Sequence, residues 1–387
     1  MPLTGRVYTF IQTSGSIKDR IYDAFPSYDF ADPSIASVAK KYPAYFNKYH
    51  VFRKIFITWH ARFIFGVFGE SPNDRVIVGG QGWSFLNNVD DSMSYYRVTR
   101  PFTEDDLEAW RQALEKKRDW LKRRSIHYVF MVAPNKHSIY GEYIPKKYNR
   151  IRSSSRLDQL VAYMKKNSSV RFADPRSALL STKNEFDVFY KTDSHWNDRG
   201  GYTAYKVLMS YLQDWFPGMG YLPLSALNLE MKPSPQEHLW LMGLDVTDEV
   251  ESEALHTRQA YTRDDSVLVS KEINYVSAKY EGGSGAEVAI PWRILRYEPG
   301  HIDLTRTSIP DLPDAVMFQG SFGPYMQPYL STHFNRIVYV NHYPHQRGSI
   351  DTTIINQERP DVVIQELIER DLMKDKPMES FLKHSAP

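Results

Sequence analysis

The stretch HYVFMVAPNK does most to restrict how this chain can fold. From Tyr128 to Ala133 it is apolar at successive positions, so both faces of an extended segment are hydrophobic, and Pro134 ends it. A strand that needs cover on both sides belongs inside a parallel sheet flanked by helices. The residues before it supply one such helix. In TEDDLEAWRQALEKKRDWLKRR, Thr103 and Asp106 form a capping box, and Leu107, Trp110, Leu114 and Leu121 recur on one helical face. A second helix near Leu157 to Lys166 and a short strand from Val170 to Ala173, stopped by Asp174 and Pro175, complete a βαβ alternation. After a helix from about Arg199 to Phe216, with Tyr205, Leu208, Leu212 and Trp215 on one face, three more apolar runs follow: Ala315 to Phe318, Ile337 to Val340 and Val362 to Ile364. Five such strands predict an α/β fold, an open parallel sheet with helices on both faces.

Residues 217–313, rich in proline, glycine and charge, read as an irregular inserted or covering region within a domain of residues 75–387. Residues 1–74 read as an N-terminal segment packing on that domain. The most hydrophobic part of this segment, from Val51 to Gly69, is broken by Arg53, Lys54, His60 and Arg62, and so lacks the roughly 18 to 20 uninterrupted apolar residues of a spanning helix. The opening MPLTGRVYTF has no apolar leader core, so export would require a leader or anchor absent from this sequence.

With 48 basic and 46 acidic side chains, the chain has no large electrostatic footprint for nucleic acid. Zero cysteines exclude disulfides, thiolate metal sites and cysteine nucleophiles, and leave the redox compartment open. Twenty-six tyrosines and eight tryptophans suit sugar faces, although such rings also fill ordinary cores.

Ligands of open α/β sheets gather beyond the carboxyl ends of the strands. Those positions hold Asn135 and Lys136, Asp174 and Arg176, Gly320, Ser321 and Phe322, Asn341 and His342, and Glu366. Ser321 differs from the rest, because VMFQGSFG places its hydroxyl on a strand-to-helix turn between two glycines. A serine hydroxyl needs an adjacent base, itself oriented by a third group. FYKTDSHWNDRGGY offers Asp193 and His195 one residue apart, with Tyr190 and Trp196 beside them to exclude water. That set suffices for acyl transfer. Two other readings remain: Asp193 caps the following helix while His195 fills a surface turn, or the D-x-H pair gives two metal ligands. No third or fourth ligand stands at a recognisable spacing, so neither a metal nor another cofactor is expected.

Several separated segments together resemble the SGNH-hydrolase-like polysaccharide O-acetyltransferases of the AlgJ/AlgX alginate type. They are RVIVGGQGWSFLNN at 75–88, APNKHSIYGEYIP at 133–145, YKTDSHWNDRGGYTAY at 190–205, VMFQGSFGPYMQPYLSTHF at 316–334 and RPDVVIQELIERDL at 359–372. The chain looks closer to the shorter AlgJ type. The resemblance implies a catalytic triad of Ser321 as nucleophile, His195 as base and acid, and Asp193 as orienting carboxylate. It also implies a periplasmic or otherwise extracytoplasmic enzyme, membrane-associated through a segment not present here. Such an enzyme takes acetyl groups from a membrane-bound O-acyltransferase and places them on hydroxyls of an exopolysaccharide such as alginate.

One departure stands out: the family usually has aspartate immediately before the serine, where this chain has Gly320. That leaves open how the turn is pinned and which group, among Asn135, Asn341 and Arg370, adds a second oxyanion donor to the Ser321 N–H. Asn135 and Lys136 at a strand end, with Tyr190 and Trp196, are candidate substrate-binding residues; the alternative for Lys136 is a structural ion pair. Trp83 either stacks on sugar or anchors its loop. Beside acetyl transfer stand acetyl-ester hydrolysis and a non-catalytic polysaccharide-binding role in a secretion complex. A separation of more than about 6 Å between His195 and Ser321 would favour the last.

Overall fold

The computed structural model describes residues 53–244, 251–256, 270–275, 287–289, 302–307, 309–341 and 348–373. The opening decapeptide and His342 lie outside them. The chain divides into two compact units, Met1–Pro72 with Gly243–Asp245, and Asn73–Met242 with Val246–Pro387.

In the first unit, helix α1 (Arg53–Phe68) buries Ala61 and exposes Phe56, Trp59, Phe63 and Val67. Among the described residues, no helix is long and apolar enough to cross a membrane.

The second unit is built on a sheet whose strands, in chain order, are β1 (His127–Ala133), β2 (Arg171–Ala173), β3 (Ser270–Tyr275), β4 (Glu287–Ala289), β5 (Ile302–Arg306), β6 (Asp314–Gln319), β7 (Arg336–Asn341) and β8 (Val362–Ile368). Their spatial order is β2-β1-β8-β6-β7-β5-β3-β4. The five strands expected from the sequence are those from β2 to β7 in this order, and they are mutually parallel. Beyond β7 the pairings become antiparallel.

Successive residues of one strand enter opposite cores. Val129, Met131 and Ala133 of β1 face one side, with Tyr205, Leu208 and Leu212 of helix α4 (Asp198–Leu212). Tyr128, Phe130 and Val132 face the other, with Trp110, Leu114 and Leu121 of α2 (Glu104–Lys122) and Leu157, Leu160 and Met164 of α3 (Arg156–Asn167). Both caps are capping boxes, Thr103 with Asp106 and Ser155 with Asp158. Each satisfies amide donors that the first helical turn otherwise leaves unpaired.

Part of the 217–313 stretch is regular structure. Strand β5, from this stretch, joins the main sheet beside β7, with Ile302 paired to Val340 and Arg306 to Arg336. Its apolar signal is weak because alternate positions are Asp303 and Thr305, which are buried all the same. Thr305 donates its hydroxyl to Ser331 at 2.9 Å, and such a bond removes the cost of burying a polar group.

Candidate active site

Two turns at the carboxyl end of the sheet hold the candidate catalytic residues. The first is the loop before α4. A bridge between Phe189 and Trp196, and the Tyr190 N–H donating to the His195 carbonyl at 3.2 Å, close it so that Asp193, Ser194 and His195 form its tip. Asn197 then caps α4, accepting from the Gly200 N–H at 3.0 Å. The cap is therefore Asn197, which leaves Asp193 available to the imidazole.

Lys136, just past β1, braces this loop from inside. Its ammonium donates to the carbonyls of Tyr190 at 3.1 Å, Lys191 at 3.0 Å and Asp193 at 2.7 Å, which uses all three of its protons. Burial pushes its pKa down to about 7, opposed by the nearby carboxylates of Asp193 and Glu237.

The second turn follows β6. Ser321 is half-buried, and Phe322 behind it is fully enclosed. The Trp196 indole N–H donates to the Phe322 carbonyl at 3.1 Å, tying the two turns together across 126 residues of sequence. The first turn of α4 also lies so close that a Cβ on Gly201 would come within 2.7 Å of the Tyr325 carbonyl oxygen.

The register explains Gly320. Phe318 of β6 pairs with Gln365 of β8, and β8 runs on to Ile368, so Glu366 and Ile368 lie beside the turn that β6 enters. A Cβ at position 320 would sit 2.8 Å from Ile368 Cγ1 and 3.2 Å from a Glu366 oxygen. The Glu366 carboxyl instead accepts the Gly320 N–H at 2.5 Å. Thus the turn is pinned by a carboxyl from the neighbouring strand, in a chain that lacks one immediately before the serine. Burial pushes Glu366 up to about 8, with the Gly320 N–H drawing it the other way.

Across the gap between the turns, His195 Nε2 lies 2.9 Å from Ser321 Oγ, and His195 Nδ1 lies 2.7 Å from Asp193 Oδ1. The same Asp193 oxygen accepts the His195 backbone N–H at 2.9 Å. With Nδ1 donating to Asp193, Nε2 presents its lone pair to the serine hydroxyl and can take its proton. Burial alone would raise the Asp193 pKa, but the adjacent imidazole and its hydrogen bonds overcome this and hold it well below the usual carboxylate range. The His195 ring packs against Phe322 and Tyr325, at centroid distances of 5.0 and 5.8 Å.

Among the described residues, Asp193, His195 and Glu237 could converge on a metal ion, their ligand atoms lying within 4.8 Å of one another. Both imidazole nitrogens are already engaged, so an ion there would have to displace Asp193 or Ser321.

The four residues expected to bind substrate are corrected in direction. Lys136, Trp196, Tyr190 and Asn135 are each no more than 3% exposed. Lys136 and Trp196 spend their donors on backbone carbonyls, Tyr190 lies against Tyr325, and Asn135 accepts from Arg370 at 3.4 Å while its backbone N–H reaches Glu369 at 2.7 Å. They build the loop and offer a polymer no open face. Asn341 is likewise interior, accepting from Gln319 at 2.8 Å. Trp83 is a core anchor, stacked on Tyr140 at 3.8 Å. Sequence reasoning missed Glu237, from helix α5 (Glu237–Met242), whose carboxylate accepts the Ser194 hydroxyl at 2.5 Å. Nothing in the unpatterned 217–313 stretch marks it.

A mostly parallel sheet covered by helices, with a serine turn at one strand end facing an Asp–His loop, is the architecture of an SGNH-hydrolase-like domain. Residues 76–269 match the family described as "SGNH hydrolase-like domain, acetyltransferase AlgX". This is half of the chain, and the chain belongs to that family. The match includes Asp193, His195 and Glu237 and ends before Ser321. Among solved structures, the chain is similar to a DHHW family protein from Eubacterium siraeum, with 15% identity over 80% of this chain and 97% of that one, at a TM-score of 0.52. It is also similar to Bacillus cereus PatB1, with 13% identity over 78% and 97% and a TM-score of 0.52. The O-acetyltransferase domain of Pseudomonas putida AlgJ aligns at 16% identity over 79% and 95%, with a TM-score of 0.45. No curated protein matches the chain.

Proposed function

We propose that the protein is an O-acetyltransferase that carries an acetyl group on Ser321 and delivers it to a hydroxyl of an exopolysaccharide. The observation that carries this reading is the continuous path of two hydrogen bonds, 2.7 and 2.9 Å, from Asp193 through His195 to Ser321. His195 takes the hydroxyl proton as Ser321 Oγ attacks the acetyl carbonyl of the donor. The tetrahedral intermediate collapses, the donor's leaving oxygen receives that proton, and acetyl-Ser321 remains. A sugar hydroxyl then attacks the acetyl carbon, giving its proton to His195, which returns it to Ser321 Oγ as the acetylated sugar departs. Asp193 holds the imidazole in the required tautomer and stabilises its charged form.

The chain's membership of an acetyltransferase family supports the reaction class. A membrane-bound O-acyltransferase as donor, and a site of action outside the cytoplasmic membrane, complete the proposal. A purely polysaccharide-binding role would leave the 2.9 Å approach of imidazole to serine without a use.

The test is to mix the purified chain with 4-nitrophenyl acetate, with and without oligosaccharide, and to analyse peptides and products by mass spectrometry. One acetyl group on the Ser321 peptide and acetylated oligosaccharide are expected. Equal acetylation by Ser321→Ala would sink the mechanism, and acetate as sole product would make the enzyme an esterase.

A further inference from the structure

Helix α1, RKIFITWHARFIFGVF, has one side against the chain and the other in the open. Ala61 is 1% exposed, and a Cβ on Gly243 would lie 4.0 Å from the Ala61 Cβ and 3.0 Å from Ile57 Cγ2. That side therefore rests on the turn at Gly243, which belongs to the same compact unit. Phe56, Trp59, Phe63 and Val67 recur at helical spacing on the opposite side and are 66, 71, 59 and 62% exposed. Three aromatic rings and a valine in line along a helix make an apolar patch of the kind that marks an interaction surface.

Length and charge indicate the partner. Sixteen residues rise about 24 Å, short of the roughly 30 Å hydrocarbon core of a bilayer, and His60 and Arg62 stand at the middle of the helix. The helix is thus unsuited to run across a membrane, whereas its open side can lie along one. The sequence around it is one-sided in charge. From Pro33 to Gly69 there are six lysines and arginines, Lys40, Lys41, Lys48, Arg53, Lys54 and Arg62, and no aspartate or glutamate, in a chain with 48 basic and 46 acidic side chains. A second copy would meet this stretch with charge of the same sign, and a surface of anionic phospholipid headgroups meets it with the opposite sign. Tryptophan and phenylalanine beside basic residues are also the composition of helices that settle at the boundary between headgroups and acyl chains.

We propose that α1 is a membrane-docking helix that lies in the plane of an anionic phospholipid bilayer, with Phe56, Trp59, Phe63 and Val67 sunk below the headgroups and the surrounding basic residues drawn to the lipid phosphates. The docking surface is separate from the serine–histidine site, so it stands without the acetyl-transfer reading.

The test is flotation of the full chain with vesicles of phosphatidylcholine alone and of equal parts phosphatidylcholine and phosphatidylglycerol, each at low and high salt. The mixed vesicles should hold the chain about tenfold or more tightly than the neutral ones, with most of that difference lost at high salt. Trp59→Ser combined with Phe63→Ser should weaken binding to the mixed vesicles about tenfold or more, and Arg62→Gln should weaken it about fivefold. Trp59 and Phe63 are exposed, so the double variant should melt at the parent's temperature, which separates lost docking from lost folding. The proposal is overturned if neither vesicle holds the chain, if both hold it equally, or if the double variant binds as the parent does. It is also overturned if light scattering shows that the parent pairs with itself in buffer and the double variant does not, because the face then belongs to a second copy. Acetylation of Ser321 is read at another site, so either proposal can fail while the other holds.

Discussion

Asp193 and Glu366 are two buried carboxyl groups on opposite sides of the serine–histidine contact, and the protein holds them in opposite states. Asp193 shares its oxygen between the imidazole and the backbone N–H of His195, so the charged form is favoured despite burial. Glu366 meets backbone N–H of the serine turn, but desolvation prevails and its pKa rises to about 8. Burial acts on both in the same direction; what differs is whether a group able to carry positive charge touches the carboxyl. The difference separates two tasks. In the proposed reaction the charged group serves the proton that moves, while the neutral group fixes the backbone from which Ser321 projects.

Replacing Asp193 with Asn attacks the first task with little change in shape. It should lower kcat for acetyl transfer by about 10⁴-fold, since the amide no longer enforces the tautomer that offers Nε2 to Ser321. Steady-state rates with an activated acetyl ester would measure it, and a loss of under tenfold would remove Asp193 from the mechanism. Glu366→Ala attacks the second task. It strands the buried Gly320 N–H and should cost about 1–3 kcal/mol of stability, read by urea denaturation, with a smaller loss of rate than Asp193→Asn. Gly320→Ala tests the same contact from the other side. The new methyl must displace Ile368 or Glu366, and overpacking of this kind costs about 1–3 kcal/mol. Unchanged stability in both variants would mean that the turn is held by something other than Glu366.

The parallel part of the sheet was legible because its strands, buried on both faces, lack the alternation that a half-exposed strand shows. Strand β5 was not, because Asp303 and Thr305 are buried through polar contacts that a hydropathy pattern does not register. Asp193, His195 and Ser321 could be picked out from residue type and position at strand and loop ends. The direction of a side chain is a different matter. Lys136, Tyr190 and Trp196 lie in or against the His195 loop and turn inward, Lys136 because the loop closes over carbonyls that need a donor beneath them. Glu366 was visible as a strand-end residue, but its partnership with Gly320 depends on β8 outrunning β6, a register that only three-dimensional pairing reveals. Glu237 lies in chain without period or motif.

The smallest effect, and the sharpest separation of the two carboxyls, comes from Glu366→Gln. A glutamine keeps a carbonyl oxygen for the Gly320 N–H and is neutral at every pH, as the buried acid is at neutrality, so transfer activity should stay within about threefold of the parent. Its signature is in pH. Glu366 titrates near 4.5 when unfolded and near 8 when folded, so between these values the native state holds a proton that the unfolded state has released. Stability therefore declines as pH rises across this window, with a slope approaching about 1.4 kcal/mol per unit from this group. Asp193 runs the other way: its folded pKa lies below its unfolded 3.8, so its contribution is present above that value and is lost in stronger acid. Urea denaturation from pH 5 to 8 should show Glu366→Gln gaining stability over the parent progressively toward pH 8, whereas Asp193→Asn should lose a nearly constant amount across the same range. Parallel curves for parent and Glu366→Gln would show that Glu366 is ionised in the fold, and that the two carboxyls do not differ as their surroundings require.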